Sequence, residues 1–203
     1  MSSPGAGPEV SAMAVEKIAE RDGLTLAIKA GGTRGIGSVI MKAGDPNLID
    51  GVQVAAFPFW PDDRGYFLEV VRLDGNKPEE IAAGFTETTQ VSTTLSYPGT
   101  IKAIHYHCRQ TDLWVPSRGM FQVFLYDLRV GSPTFGRVNT LYVGTLRAWK
   151  VRIPPGVGHG YKVLGNEAAM LVYVTNRFYD PQDEGRIPHD HPDINYDWEL
   201  QFK

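Results

Sequence analysis

One cysteine, Cys108, stands among 203 residues, so no intrachain disulfide framework can staple this fold. Apolar runs never exceed strand length, which leaves no candidate for a membrane-crossing helix. No charged stretch followed by an apolar run opens the chain, so no secretory signal is expected. Basic residues are not in excess: 20 Lys and Arg face 23 Asp and Glu, a net charge of -3. That balance argues against a polyanion-binding surface and hence against a nucleic-acid partner. Together these absences point to a cytoplasmic protein with no membrane contact. Strong helical periodicity is scarce as well.

Glycine and proline are plentiful, 22 and 14, and they break the chain at short intervals, as all-β folds require. Residues 1–11 read as a polar tail. Met13 to Arg21 predicts a short helix, with Val15, Ile18 and Ala19 on one face and Gly23 ending it. Leu24 to Ala30 alternates weakly and reads as a strand. Gly31 to Gly37 reads as a flexible turn, not a phosphate cradle, because no βαβ unit surrounds it. Residues 1–50 are thus expected to be an extension of tail, short helix and glycine-rich turn. From Val52 the strand signals become dense, with one or two helical turns expected at Lys77 to Ala83 and an extended stretch from Phe85 to Thr94. About ten short strands without strong helices predict an all-β, double-sheet jelly-roll barrel over residues 51–203.

The chemistry concentrates between Gly99 and Gly119. The spacing there is glycine, five residues, His105-x-His107, four residues, Asp112, six residues, Gly119. Side chains alternate along a strand, so His105 and His107 face the same way. Two imidazoles with a nearby carboxylate can hold Fe, Mn, Ni or Zn. Cys108, beside them, reads as structural, because nothing nearby activates a thiol. His189 and His191, in a proline-bounded tail, read as solvent-exposed.

Further along, Pro154 to His159 reads P-x-G-x-x-H. With the earlier stretch it resembles the two-part signature of the cupins, with aspartate in place of the usual glutamate. That resemblance implies His105, His107, Asp112 and His159 as metal ligands. A longer resemblance runs from Val52 to Trp198. It rests on Asp62-x-Arg64-Gly65-x-Phe67-x-Glu69, Gln90, Lys102-Ala-Ile-His105-Tyr, Asp127-Leu-Arg129, Ser132-Pro-Thr-Phe135-Gly136, Ile153-Pro-x-Gly156-x-x-His159-Gly160, Tyr173, Tyr179-x-Pro181 and Glu184. These motifs resemble the dTDP-4-dehydrorhamnose 3,5-epimerase family, itself built on a cupin barrel.

The resemblance implies an isomerase acting on a 4-keto-6-deoxyhexose joined to dTDP. His105 would remove the proton beside the C4 ketone, and Tyr173 would return one from the opposite face. Arg64, Phe67 and Glu69 would grip the nucleotide across a homodimer with exchanged strands. Gln90, Lys102 and His159 would contact substrate, with Lys102 standing where the family has an arginine for the diphosphate. Two departures matter. Asp112 replaces the lysine that neutralises the enolate oxygen, and His107 replaces a glutamine. The resemblance also ends ahead of the segment carrying the aspartate that pairs with the catalytic histidine; Asp183, Asp190 and Asp193 are candidates to stand in. A divalent metal would answer the charge of Asp112, whereas the plain epimerase needs no cofactor. The alternatives are a metal-dependent cupin oxygenase or isomerase on another small molecule, or a non-catalytic sugar-binding cupin.

Overall fold

The computed structural model describes residues 14–73, 80–85 and 88–199. The tail reading of residues 1–11 lies outside them. Strands β1 (Val15–Arg21) and β2 (Leu24–Lys29) form a hairpin ahead of the barrel. A six-stranded sheet contains β3 (Ser38–Val39), β8 (Ile101–His107), β10 (Met120–Asp127), β11 (Val138–Gly144), β13 (Val157–Leu164) and β15 (Glu184–Arg186), in the order β15-β8-β13-β10-β11-β3. A five-stranded sheet contains β4 (Gln53–Ala56), β7 (Gln90–Ser96), β9 (Asp112–Arg118), β12 (Trp149–Ile153) and β14 (Ala169–Thr175), in the order β4-β12-β9-β14-β7. A separate hairpin joins β5 (Phe59–Asp62) to β6 (Gly65–Leu68). This is the expected all-β double-sheet barrel, and no α-helix occurs among the described residues. Of the helical turns expected at Lys77 to Ala83, the described part is a 3-10 turn at Glu80–Ala82.

The helix expected at Met13 to Arg21 is strand β1 instead. Its register against β2 shifts between Lys17 and Ala19, so the neighbours Ile18 and Ala19 both pack on the same apolar cluster. A bulge of this kind imitates helical spacing over a short stretch. Asp22 and Gly23 both have positive φ, 50° and 81°. Two left-handed residues in a row make the tight turn that matches strand twist, and Asp-Gly is a usual pair for it. Gly23 therefore turns a hairpin and does not end a helix.

The six-stranded sheet is covered on both faces. Phe121, Val123 and Leu125 of β10 point inward against Trp114, Val151 and Leu171 of the facing sheet. Phe124 and Tyr126 of the same strand point outward, beneath Leu26 and Ile28 of β2 and Ile187, Tyr196 and Trp198 of the C-terminal segment. Double coverage explains why β10 reads as an almost unbroken apolar run. Ile40 and Ile49 also join the inner core.

Asp127, at the end of β10, is fully buried and organises the β10–β11 turn. Arg129 donates to it through Nε at 2.8 Å and Nη2 at 2.9 Å, and Ser132 Oγ at 2.6 Å. Thr134 Oγ1 also donates to it. Burial alone would raise its pKa, but the hydrogen bonds from Arg129, Ser132 and Thr134 outweigh burial and hold it below the ordinary carboxylate value. Asp127→Ala strands a guanidinium and two hydroxyls and is expected to cost about 3–5 kcal/mol in urea unfolding. Because the folded pKa lies below the unfolded one, this contribution is whole at neutral pH. It fades as pH falls below about 4 in wild type and is absent from the variant's acid-unfolding profile.

Candidate active site

A cavity of about 430 Å³ opens between the two sheets. The six-stranded sheet contributes Lys102, His105 and His107 from β8, His159 and Tyr161 from β13, and Glu184 and Arg186 from β15. The five-stranded sheet contributes Gln90 and Thr94 from β7, Asp112 and Trp114 from β9, and Leu171, Tyr173 and Thr175 from β14. Alternation puts His105 and His107 on one face, as expected. Lys102 joins them because the β8–β13 register slips: His159 faces His105, while Tyr161 faces Lys102. Two residues of β13 thus span three of β8, and the extra residue brings Lys102 round to the inner face.

His105 meets a carboxylate. Its Nδ1 lies 3.6 Å from Glu184 Oε1, an ion-pair distance, longer than a hydrogen bond. Burial pulls the His105 pKa down, and the Glu184 charge pushes it back up. Neutral imidazole is thereby favoured near neutral pH, with a carboxylate placed to receive Nδ1–H. None of the three aspartates considered as stand-ins does this. Asp183 is buried and accepts the backbone N–H groups of Cys108, Arg109 and Gln110. Asp190 is exposed, and Asp193 accepts Gly31 N–H. Glu184 is among the motif positions of the resemblance, but nothing in the sequence tied it to His105, since a three-residue strand distant in sequence brings it there. Gly185 permits that approach: a Cβ there would lie 2.0 Å from the Tyr106 ring.

Three of the four expected metal ligands come together. His107, Asp112 and His159 are all buried and place their ligand atoms within 4.8 Å of one another. His105 stands outside this group. Its ring centre is 6.4 Å from that of His159, against 5.5 Å for His107. His159 Nδ1 contacts the Val157 carbonyl at 2.9 Å. A carbonyl only accepts, so Nδ1 carries the proton and Nε2 a lone pair. That lone pair faces Asp112 Oδ2 at 3.4 Å. Burial lowers the His159 pKa to about 4 despite the opposing Asp112 charge, so the ring is neutral at pH 7. Asp112 is held by Gln110 Nε2 at 2.6 Å and Trp114 Nε1 at 3.3 Å. The Gln110 nitrogen also sits 3.3 Å from His107 Nε2.

Tyr173 rises from the sheet opposite His105. Burial, with smaller contributions from Tyr161, Asp112 and Glu184, raises its pKa, so the phenol stays protonated at neutral pH. Lys102 donates to Thr94 Oγ1 at 2.7 Å, and Gln90 Oε1 accepts Tyr179 N–H at 3.0 Å. Arg64, Phe67 and Glu69 do not reach this cavity. Arg64 pairs with Asp62 on the β5–β6 hairpin, Phe67 stacks on Trp60 and is 65% exposed, and Glu69 pairs with Arg72. His191 is another departure from expectation: it is half-buried, with Nε2 3.3 Å from Glu16 Oε2. Cys108 is half-buried, and burial raises its thiol pKa, in keeping with a structural role.

Comparison with known proteins adds an independent line. The family model for dTDP-4-dehydrorhamnose 3,5-epimerase matches residues 46–203. The spore coat polysaccharide biosynthesis protein SpsL of Bacillus subtilis (strain 168) is 43% identical over 158 residues, covering 77% of this chain and 100% of that relative. The probable low-salt glycan biosynthesis epimerase Agl13 of Haloferax volcanii is 35% identical over 160 residues, covering 77% and 98%. Among solved structures, a dTDP-6-deoxy-D-glucose-3,5-epimerase from Legionella pneumophila Philadelphia 1, in complex with dTDP-4-keto-L-rhamnose, is similar with a TM-score of 0.64. It is 27% identical and covers 75% of this chain and 81% of its own.

Proposed function

The chain belongs to the dTDP-4-dehydrorhamnose 3,5-epimerase family, and on that premise we propose that it epimerises a dTDP-linked 4-keto-6-deoxyhexose next to the C4 ketone. The observation that carries this reading is the placement of His105 and Tyr173 on facing walls of one cavity. Inverting a carbon needs a proton to leave from one side and arrive from the other. Neutral His105 takes the proton α to the ketone, and Glu184 stabilises the imidazolium that forms. The ketone oxygen becomes an enolate oxygen. Tyr173, a protonated phenol on the opposite wall, delivers a proton to the other face.

Asp112 is the awkward group, since a carboxylate near a developing enolate opposes it. The Gln110 and Trp114 donors engage both of its oxygens and turn part of that charge away from the cavity. Lys102 adds positive charge to the lining and takes the substrate diphosphate, while the Arg186 guanidinium pairs with Glu184 at 2.7 Å. The β5–β6 hairpin carries Arg64 and Phe67 on an exposed surface with Trp60. In a homodimer that hairpin reaches the neighbouring copy's cavity and supplies the nucleotide contacts, together with Glu69.

A second reading concerns the group His107, Asp112 and His159. His159 Nε2 and Asp112 Oδ2 face each other at 3.4 Å, and His107 offers another nitrogen nearby. A donor set of two imidazoles and a carboxylate fits a divalent Fe, Mn, Ni or Zn ion. A metal held there supplies Lewis-acid polarisation of the ketone, the task of the absent lysine. The chain's own groups keep their tasks in either case, because His105 is not in the ligand group. Gln110 has to release Asp112 and His107 for the ion to seat.

Two measurements test these readings. Incubation of dTDP-4-keto-6-deoxyglucose in deuterium oxide is expected to place deuterium at C3 or C5. His105→Asn is expected to slow labelling by about 10²–10⁴-fold. Tyr173→Phe is expected to suppress formation of the inverted product more than labelling itself. If the substrate binds wild-type protein and no deuterium enters, the epimerase reading fails. For the metal, elemental analysis of protein purified without added metal is expected to find a stoichiometric divalent ion that is lost in His107→Ala and in Asp112→Ala. Protein free of metal under every condition overturns that second reading.

A further inference from the structure

Hairpin β1–β2 precedes the residues that match the family, which begin at 46. It is nevertheless tied to the strand that carries Glu184. Arg21, the last residue of β1, donates Nη1–H to the Gln182 carbonyl at 2.8 Å and stands 3.7 Å from Asp183 Oδ1. Asp22, in the hairpin turn, pairs with Arg109 Nε. Asp183 in turn accepts the N–H groups of Cys108 and Arg109, each at 3.2 Å, and of Gln110 at 3.0 Å. One buried carboxylate therefore joins the entry to β15 to the turn that leaves β8. The hairpin grips both sides of that joint, at Gln182–Asp183 and at Arg109.

Both sides of the joint lead to groups in the cavity. Glu184 is the next residue after Asp183. Gln110 reaches His107 and Asp112, and His105 lies on the strand that the turn ends. Strand β15 is only three residues long and lies at the edge of its sheet, paired to β8 alone. The segment before it is exposed from Arg177 to Gln182. Beyond β15, Ile104 and Ile187 exchange backbone hydrogen bonds at 3.0 and 2.9 Å, and Arg186 Nε donates to Glu184 Oε1 at 2.7 Å. An active-site carboxylate has to be held within about 0.5 Å, which leaves the N-terminal side of β15 to the Asp183 joint. Charge-assisted bonds to backbone N–H groups are stronger restraints than neutral ones.

We propose that Asp183, backed by Arg21 of the N-terminal hairpin, is the positioning residue that holds Glu184 against His105. The proposal rests on His105 as the base of the epimerase reading. It gives the N-terminal hairpin a task in the reaction: it tightens a joint on which the His105–Glu184 geometry depends. Asp183 touches no substrate and acts only through Glu184 and the β8–β9 turn.

Arg21→Ala, Arg21→Lys and Asp183→Asn are the test variants, with Lys17→Ala on the same hairpin as control. Backbone hydrogen–deuterium exchange needs no substrate and reads the joint directly. In Arg21→Ala and Asp183→Asn, peptides covering residues 101–112 and 180–188 are expected to exchange about tenfold faster, with β10 and β11 unchanged. Substrate labelling reads the catalytic consequence. kcat is expected to fall about tenfold or more in Asp183→Asn and less in Arg21→Ala, with KM within about twofold, as displaced groups lower turnover more than binding. Arg21→Lys is expected to recover most of the loss, and Lys17→Ala to match wild type. Unchanged amide exchange in both variants overturns the proposal. So does faster exchange with unchanged kcat, since Asp183 then only braces a turn. A wild-type protein that labels no substrate instead overturns the base assignment and with it the positioning role, whereas unchanged variants beside an active wild type overturn the positioning role alone.

Discussion

The pairing of β8 with β13 is the constraint on which the site depends. His159 faces His105, and three residues of β8 are then spanned by two of β13. That slip places Lys102, His105 and His107 on one inner wall, although Lys102 and His105 are three apart and would face opposite ways in a regular strand. It also leaves His159 beside His107 and Asp112. Every polar group in the cavity is therefore set by register, and register is held by the doubly covered sheet around it. Phe124, Tyr126 and Ile104 seal the outer face of that sheet, and Trp114 and Tyr161 close the inner one.

The polar groups of the cavity fall into two sets. On one side, His105 faces Glu184 across an ion-pair distance. On the other, His107, Asp112 and His159 gather with Gln110 and Trp114. The family resemblance claims His105 as a base and the cupin signature claims it as a ligand, and the two roles exclude each other. The geometry sets His105 beside Glu184 and apart from the cluster of His107, Asp112 and His159, so the two proposed roles fall on different residues of one cavity. Asp112, where the resemblance implies a lysine, belongs to the group without His105. Its negative charge is met by neutral N–H donors, which lower the cost of an enolate nearby without supplying a positive charge.

Much of this was legible along the chain. The glycine and proline punctuation and the short strands carry the barrel, since alternation and turn chemistry are local properties. The His-x-His pair, Asp112, His159 and Tyr173 all line the cavity, because motif positions on inner strands converge once a barrel closes. Local pattern misled at β1, where a bulge imitated helical spacing, and at Asp22-Gly23, where the hairpin signal lay in the turn. It also overestimated exposure at His191, whose partner Glu16 is distant in sequence.

The sequence by itself determined the fold class, the family and the residue types available for proton transfer, because each depends on local pattern or on motifs in order. Only the tertiary structure decided which carboxylate meets His105. Asp183, Glu184, Asp190 and Asp193 lie within a few residues of one another, and composition does not rank them. Strand pairing does: β15 turns Glu184 toward the cavity, while Asp183 meets three backbone N–H groups. The same applies to the stretch from Gly99 to Gly119. Its spacing named the metal-ligand candidates, but distances across strands far apart in sequence set His105 apart from His107, Asp112 and His159.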